Sequence, residues 1–314
     1  MSRNIIFFGT PAFAVHCLKK IVTENFKVIA VVTAPDKPSG RGRQLRKSAV
    51  KEFSEQHKLP LLQPTNLKDP LFIDALKAYA PDLMIVVAFR MLPKEVWSIP
   101  PQGTFNLHAS LLPHYRGAAP INWAIINLER QTGITTFFIN EEIDTGAILL
   151  QEKIAIDKNE TAGSLHDKLA LKGSDLVCKT IEGVFTDKIT PSLQKENTPL
   201  KIAPKLNQQN TFIDWDLSLE HINAKVRGLS PYPGAKSKWI DDQKESVIKI
   251  FQTEMVKAAH RFEPKQVIIE DRKILIAHRE GFIDCVLLQF PNKKILEAKD
   301  ILNGREFSDQ IRVE

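Results

Sequence analysis

Leu83-Met84-Ile85-Val86-Val87-Ala88 is an unbroken apolar run, too short to be a helix of its own and bounded by Asp82 on one side and Phe89-Arg90 on the other. Side chains of a strand alternate between two faces, so a run with no polar alternation must be buried on both. That is the mark of a strand inside a parallel sheet with helices on either side. Ile5-Ile6-Phe7-Phe8 has the same character and passes into Gly9-Thr10-Pro11, a tight turn with proline at the start of a helix. Phe13 to Ile21 then reads as an amphipathic helix and Val28 to Thr33 as a second buried strand. Ser48 to His57 reads as a helix, Leu61-Leu62 as a short strand and Pro70 to Tyr79 as another helix. Strands alternating with helices in this way predict an α/β fold: a doubly wound, mostly parallel, Rossmann-like sheet.

The same rhythm continues with a strand at Thr104 to His108 and a helix at Ala119 to Leu128. A strand pair follows, Thr132 to Ile139 with Ala147 to Ile156, around the loop Asn140 to Gly146. A long helical pattern from Thr161, a capping residue, to Phe185 closes a first domain of residues 1–188. The texture then turns to Thr, Pro, Gln, Asn and Lys without periodicity, which predicts a linker over 189–209. Beyond it come a strand at Thr211 to Trp215 and a helix capped by Ser218 and running to Arg227. Short apolar runs follow at Lys236 to Ile240, Ser246 to Thr253, Gln266 to Ile269, Lys273 to His278 and Phe282 to Phe290. Such closely spaced short strands predict a small C-terminal β-barrel, OB-like, over 210–314.

Charge and cysteine usage narrow the setting. With 43 Lys and Arg against 37 Asp and Glu, the net charge of +6 is compatible with a polyanionic partner without requiring one. Cys17, Cys178 and Cys285 have no metal-type or CxxC spacing and sit in apolar or helical contexts, as expected of buried thiols in a reducing cytoplasm. The first apolar run breaks at Gly9, too early for a signal sequence, and no segment reaches membrane-spanning length. A nicotinamide cofactor is disfavoured because no second and third glycine follow Gly9.

The chemistry concentrates in Phe105-Asn106-Leu107-His108. Two residues apart on a strand, Asn106 and His108 project from one face, and the turn Pro113 to Gly117 ends the element. Asp144, on the loop of the strand pair, adds a carboxylate where working residues are usually found. Amide, imidazole and carboxylate together suit acyl-type chemistry. Spacing alone also allows a hydrogen-bonded structural histidine and a turn-forming aspartate. A metal site would need a further ligand at the right spacing, so none is predicted.

Three blocks in this order, Phe105-Asn106-Leu107-His108 with Ser110-Leu111-Leu112-Pro113, then Tyr115-Arg116-Gly117-Ala118-Ala119-Pro120, then Ile143-Asp144-Thr145-Gly146, closely resemble the folate-dependent formyltransferases. Phe8-Gly9-Thr10-Pro11, the loop Pro35 to Arg43, and Arg227-Gly228-Leu229-Ser230-Pro231-Tyr232-Pro233-Gly234-Ala235 resemble the branch that formylates methionyl-tRNA. The resemblance weakens after about Ala258. It implies a formyl transfer from the cosubstrate 10-formyltetrahydrofolate to the α-amine of initiator methionyl-tRNA, by a cytoplasmic monomer without metal. Asn106, His108 and Asp144 would be catalytic. Ser110, Leu111, Leu112 and Pro113 would line the folate site, and Phe89, Arg90, Met91 and Leu92 would supply backbone contacts to the pterin. Arg90 departs from the less charged stretch expected there.

Lys37, Arg41, Arg43, Arg46, Lys47 and Lys51 fall in one stretch that contains no acid and is threaded by Gly40 and Gly42, a cationic arm able to meet tRNA phosphates. A solvated charged face is the plainer reading. Two other functions stay open on the residues alone: a formyltransferase or formyl hydrolase for a small molecule such as a sugar nucleotide, and a nucleic-acid-binding module without catalysis.

Overall fold

The computed structural model describes residues 3–39, 44–196, 199–308 and 310–314. In chain order its elements begin with β1 (Ile5–Gly9), α1 (Ala12–Thr23), β2 (Val28–Val32), β3 (Lys37–Ser39), β4 (Gln44–Arg46), α2 (Ala49–Gln56), β5 (Leu61–Leu62) and α3 (Pro70–Ala78). They continue with β6 (Leu83–Val87), α4 (Lys94–Trp97), β7 (Thr104–His108), β8 (Arg116–Gly117), α5 (Pro120–Ile126), β9 (Gln131–Phe138), β10 (Ile148–Ala155), α6 (Ala162–Phe185) and β11 (Ile202–Ala203). The remainder is α7 (Leu219–Gly228), β12 (Ala235–Asp241), β13 (Lys244–Val256), β14 (Val267–Glu270), β15 (Lys273–His278), β16 (Gly281–Gln289), β17 (Leu296–Glu297), α8 (Ala298–Asn303) and β18 (Ile311–Val313).

Two compact units emerge, each assembled from three stretches of chain. One comprises 1–117, 132–155 and 166–203; the other comprises 118–131, 156–165 and 204–314.

The first unit is built on a seven-stranded sheet of order β10-β9-β7-β6-β1-β2-β5. β1 runs parallel to β2 and β6, β2 to β5, and β6 to β7, while β9 is antiparallel to β7. β1 and β6 are buried at every position, as their lack of alternation requires. Ile6, Phe8, Ala30, Val32, Met84 and Val86 face one core, against Phe72, Leu76 and Val96. Helices start where their sequences provide caps: Ser48 Oγ accepts the Lys51 N–H and Asp69 accepts the Leu71 N–H, with Pro70 opening α3. Strand order reverses between β1 and β6, so the loops after these strands flank a topological switch point, where ligands of doubly wound folds bind.

The second unit is an antiparallel barrel of order β14-β15-β16-β13-β12-β18. A bridge between Gln266 and Arg312 and the Val313 N–H bond to the Lys265 carbonyl bring its two ends nearly to closure. β13 is long enough to serve both halves, and the register shift around Gln252 lets it bend at the corner. Trp239, Ile248, Ile250, Ile274 and Ile283 fill the interior, and α7 covers it through Leu219, Ile222 and Val226. The strand expected over Thr211 to Trp215 shrinks to a single parallel bridge between Phe212 and Lys236. Asp214 accepts the Asp216 N–H and turns the chain, while Trp215 donates to Ser237 Oγ at 3.0 Å. β18, unanticipated, is too short to show a pattern.

Among the described residues no helix is long and apolar enough to cross a membrane. All three cysteines are free and buried, and burial pushes the Cys178 thiol up to about 12, with Cys17 and Cys285 also raised. They are packing residues.

Candidate active site

β7 presents the first two candidates. Asn106 pairs with Phe137 and His108 with Thr135 across the β7–β9 ladder, so the pair shares one face of the sheet. The opposite face is covered: Gly173 of α6 lies against the Leu107 side chain, where a Cβ would come within 2.7 Å of it. Among the described residues the half-buried Asn106 carboxamide has no side-chain hydrogen bond. His108 is only 6% exposed.

The imidazole is held at one nitrogen and aimed with the other. His108 Nε2 lies 2.8 Å from the Tyr115 carbonyl. A carbonyl only accepts, so Nε2 carries a hydrogen. Nδ1 faces Asp144 Oδ2 at 3.7 Å, beyond a direct hydrogen bond but within ion-pair range. That same carboxylate oxygen accepts the Gly117 N–H at 2.9 Å. The ring therefore has a carbonyl at Nε2 and a carboxylate opposite Nδ1.

Backbone strain marks the same loops. Ala88 (φ 48°), Tyr115 (φ 61°) and Asp144 (φ 56°) are non-glycine residues in the left-handed region, at the ends of β6, before β8 and before β10. Such conformations cost roughly 1–3 kcal/mol each and persist only where neighbours over-determine them. Gly117, at φ 119°, could not carry a side chain, because a Cβ there would fall on the Ala203 carbonyl.

The stretch expected to be a linker is hydrogen-bonded into the first unit. Ser192 exchanges backbone bonds with Ile148, and β11 pairs in parallel with β8, matching Ile202 to Arg116 and Ala203 to Gly117. The Tyr115 N–H donates to the Lys201 carbonyl at 2.5 Å. Gln194 donates to the carbonyls of Asp144 (2.8 Å) and Gly146 (2.9 Å), and its oxygen accepts from Arg116 Nε and Nη2. Tyr115, Arg116 and Gly117 lie in a motif already singled out by sequence. Gln194 carries no signal in its polar tract.

The residues expected to meet folate divide by side chain and backbone. Ser110 is fully buried, its hydroxyl donating to the His114 carbonyl, and Leu112 is 4% exposed. The Leu111 side chain packs where Gly133 leaves room. Thr135 Oγ1 and Gln151 Nε2 secure the Ser110 and Leu112 carbonyls, and Pro113 follows in the turn. In the loop after β6, Phe89 packs edge-on against Phe8, Leu92 is buried and Met91 is exposed. The unexpected Arg90 ties this loop to the one before α3, donating to the Thr65 and Pro64 carbonyls, and desolvation lowers its guanidinium from the ordinary value.

The cationic arm is an antiparallel hairpin, β3 paired with β4. Lys37, Arg46 and Lys47 are exposed; Arg41 and Arg43 lie outside the described residues. Acids absent from the stretch itself reach it in space. Lys47 pairs with Glu55 at 2.6 Å, and Lys51 with Asp36 at 2.7 Å, where Gln63 also bonds the carboxylate. The hydrogen bonds from Lys51 and Gln63 hold the Asp36 carboxyl below its ordinary 3.8.

Residues 3–181 match the family model described as formyl transferase, and residues 205–306 match formyl transferase, C-terminal domain. The methionyl-tRNA formyltransferase of Flavobacterium johnsoniae is 50% identical over 310 residues, spanning 99% of this chain and 98% of that protein. That of Bacteroides thetaiotaomicron is 44% identical over 311 residues, with 98% and 97% covered. The chain belongs to the methionyl-tRNA formyltransferase family. It is therefore a formyl-transferring enzyme, as its motifs imply. Among solved structures, the fold is similar to WlaRD, a sugar 3N-formyl transferase crystallised with dTDP and 5-N-formyl-THF (TM-score 0.66, 20% identity, 94% of this chain and 100% of that one). HypX from Aquifex aeolicus in complex with tetrahydrofolic acid gives a TM-score of 0.65 at 21% identity, covering 96% of this chain and 47% of that one.

Proposed function

We propose that this enzyme transfers the formyl group of 10-formyltetrahydrofolate to the α-amine of initiator methionyl-tRNA, in the cytoplasm and as a monomer. The observation that carries this reading is the Asp144 carboxylate facing His108 Nδ1 beside an unpartnered Asn106 amide. The relatives, methionyl-tRNA formyltransferases, support the acceptor, and the structural neighbours crystallised with 5-N-formyl-THF and tetrahydrofolic acid support the donor.

Attack of a neutral amine on the formyl carbon forms a carbon–nitrogen bond and leaves an oxyanion and an ammonium. The site must stabilise the first and remove a proton from the second. The Asn106 amide donates to the oxyanion, and a protonated His108 adds a charged donor from Nδ1. Asp144, directly or through a water, accepts the ammonium proton. Collapse of the intermediate expels the folate nitrogen, which leaves with a proton. Holding both substrates in register contributes as well.

The folate would meet chain backbone more than side chains: Phe89, Arg90, Met91 and Leu92 at the switch point, and Ser110 to Pro113 beside β7. Ser110 and Leu112 turn their side chains inward. The division of labour is a catalytic domain over 1–188 and a tRNA-binding barrel over 210–314, joined through 189–209. The hairpin residues Lys37, Arg41, Arg43, Arg46 and Lys47 would contact tRNA phosphates.

The test is to incubate the purified chain with 10-formyltetrahydrofolate and, separately, methionyl-tRNA, uncharged tRNA or small amines such as amino sugars. Formylmethionyl-tRNA is the expected product. Product from small amines alone would overturn the acceptor assignment, and no product from any amine would overturn the reaction.

A further inference from the structure

We infer that Gln194 is a positioning residue for Asp144, set in place by Arg116, and that Ser192 to Glu196 with Lys201 to Ala203 brace the reaction centre. The inference rests on the catalytic reading of Asp144 given above. Gln194 is half-buried in a stretch whose other members, from Pro191 to Glu196, are exposed. A primary amide offers two hydrogens and two lone pairs, and here all are engaged. The two hydrogens go to the carbonyls of Asp144 and Gly146, on either side of Thr145; the oxygen receives Nε (3.1 Å) and Nη2 (2.7 Å) of Arg116. Arginine only donates and carbonyls only accept, so the orientation of the amide is fixed by its partners.

This arrangement closes a ring around the site. Gly117, next to Arg116, gives its N–H to the Asp144 side chain, while Gln194 grips the Asp144 main chain. Asp144 is left-handed at φ 56°, a conformation that relaxes unless neighbours hold it. The far end of the brace acts on the other partner: β11 pairs with β8, and the Lys201 carbonyl accepts the Tyr115 N–H, securing the residue whose carbonyl holds His108. Arg116 Nη1 is anchored in turn on Glu196 at 2.7 Å. No other side chain reproduces the Gln194 pattern. Glutamate keeps the acceptor for Arg116 but cannot donate to carbonyls, and methionine keeps the length without either.

The experiment compares the full chain with Gln194→Glu, Gln194→Met and Asp144→Asn, measuring kcat, KM for folate, KM for methionyl-tRNA and the melting temperature of each. Both Gln194 variants are expected to lose kcat about ten- to hundredfold, the cost of a misplaced reacting group, with both KM values within about threefold and melting within a few degrees. Asp144→Asn is expected to lose more than either. Retention of kcat within twofold in Gln194→Glu and Gln194→Met, while Asp144→Asn is inactive, overturns the positioning role and leaves the catalytic reading intact. Full activity in Asp144→Asn removes the catalytic reading itself. A kcat loss matched by an equal loss of KM quality and of melting temperature assigns Gln194 to general stability and also overturns the inference.

Discussion

His108 in the sheet unit and His278 in the barrel are equally buried, each 6% exposed, and each gives Nε2 to a carbonyl, of Tyr115 and Leu217 respectively. They differ at the other nitrogen. His278 Nδ1 accepts the Glu280 N–H, so both ring nitrogens are taken up by backbone groups. His108 Nδ1 faces a carboxylate across 3.7 Å. Burial therefore does not separate these two histidines; the partner of the second nitrogen does. The surroundings differ accordingly. Around His108 stand left-handed Tyr115 and Asp144 and an amide, that of Asn106, without a side-chain hydrogen bond among the described residues, whereas His278 ends an antiparallel ladder opposite Gly281.

The largest effect should come from exchanging these two histidines' fates. His108→Asn is expected to lower kcat about 10²- to 10⁴-fold with little change in melting. His278→Asn should leave kcat of the folded protein unchanged and cost about 1–3 kcal/mol of stability, as an unsatisfied buried group does. Steady-state kinetics beside urea unfolding reads both, and a swapped pattern breaks the comparison. Asn106→Ala comes next, with an expected loss of about 10²- to 10³-fold in kcat at nearly constant KM, as for removal of one oxyanion donor.

A smaller effect separates the cations of the hairpin. Arg46, with no acid paired to it among the described residues, should matter more for tRNA than Lys47, which Glu55 already neutralises. Arg46→Ala is expected to weaken tRNA binding several-fold and to reduce the salt dependence by about one counterion; Lys47→Ala should do less on both counts. Equal losses would mean that the Glu55 pair opens on binding. The smallest effect lies at Asp36. Its folded carboxyl titrates below 3.8, so its contribution is fully present above that pH and disappears as pH falls through the folded value. Asp36→Asn should thus unfold more easily than wild type at neutral pH, and the two should converge in acid below about pH 4. Parallel curves down to pH 2 would contradict this.

Much of this was readable from residues. The doubly apolar runs at Ile5 and Leu83 require a covered parallel sheet, and the two-residue spacing of Asn106 and His108 puts them on one face. Asp144 emerged through its motif rather than its spacing. What escaped the reading depends on contacts that no local pattern encodes. β8 and β11 are two residues each, too short for a period to appear. Gln194 meets Asp144 from fifty positions away through a side chain, in a tract whose composition reads as linker. The alternation in Thr211 to Trp215 suggested a strand, but only Phe212 finds a partner. Lys47 and Lys51 looked unopposed because Glu55 and Asp36 stand just outside the basic stretch.

In the proposed reaction the Asp144 carboxylate works with the Nδ1 edge of His108 in formyl transfer. Single-turnover formylation of methionyl-tRNA by Asp144→Asn, with tRNA binding measured on the same preparation, tests it most directly. Undiminished binding and a transfer rate reduced about a thousandfold or more are expected. Transfer at the wild-type rate by that variant would contradict it.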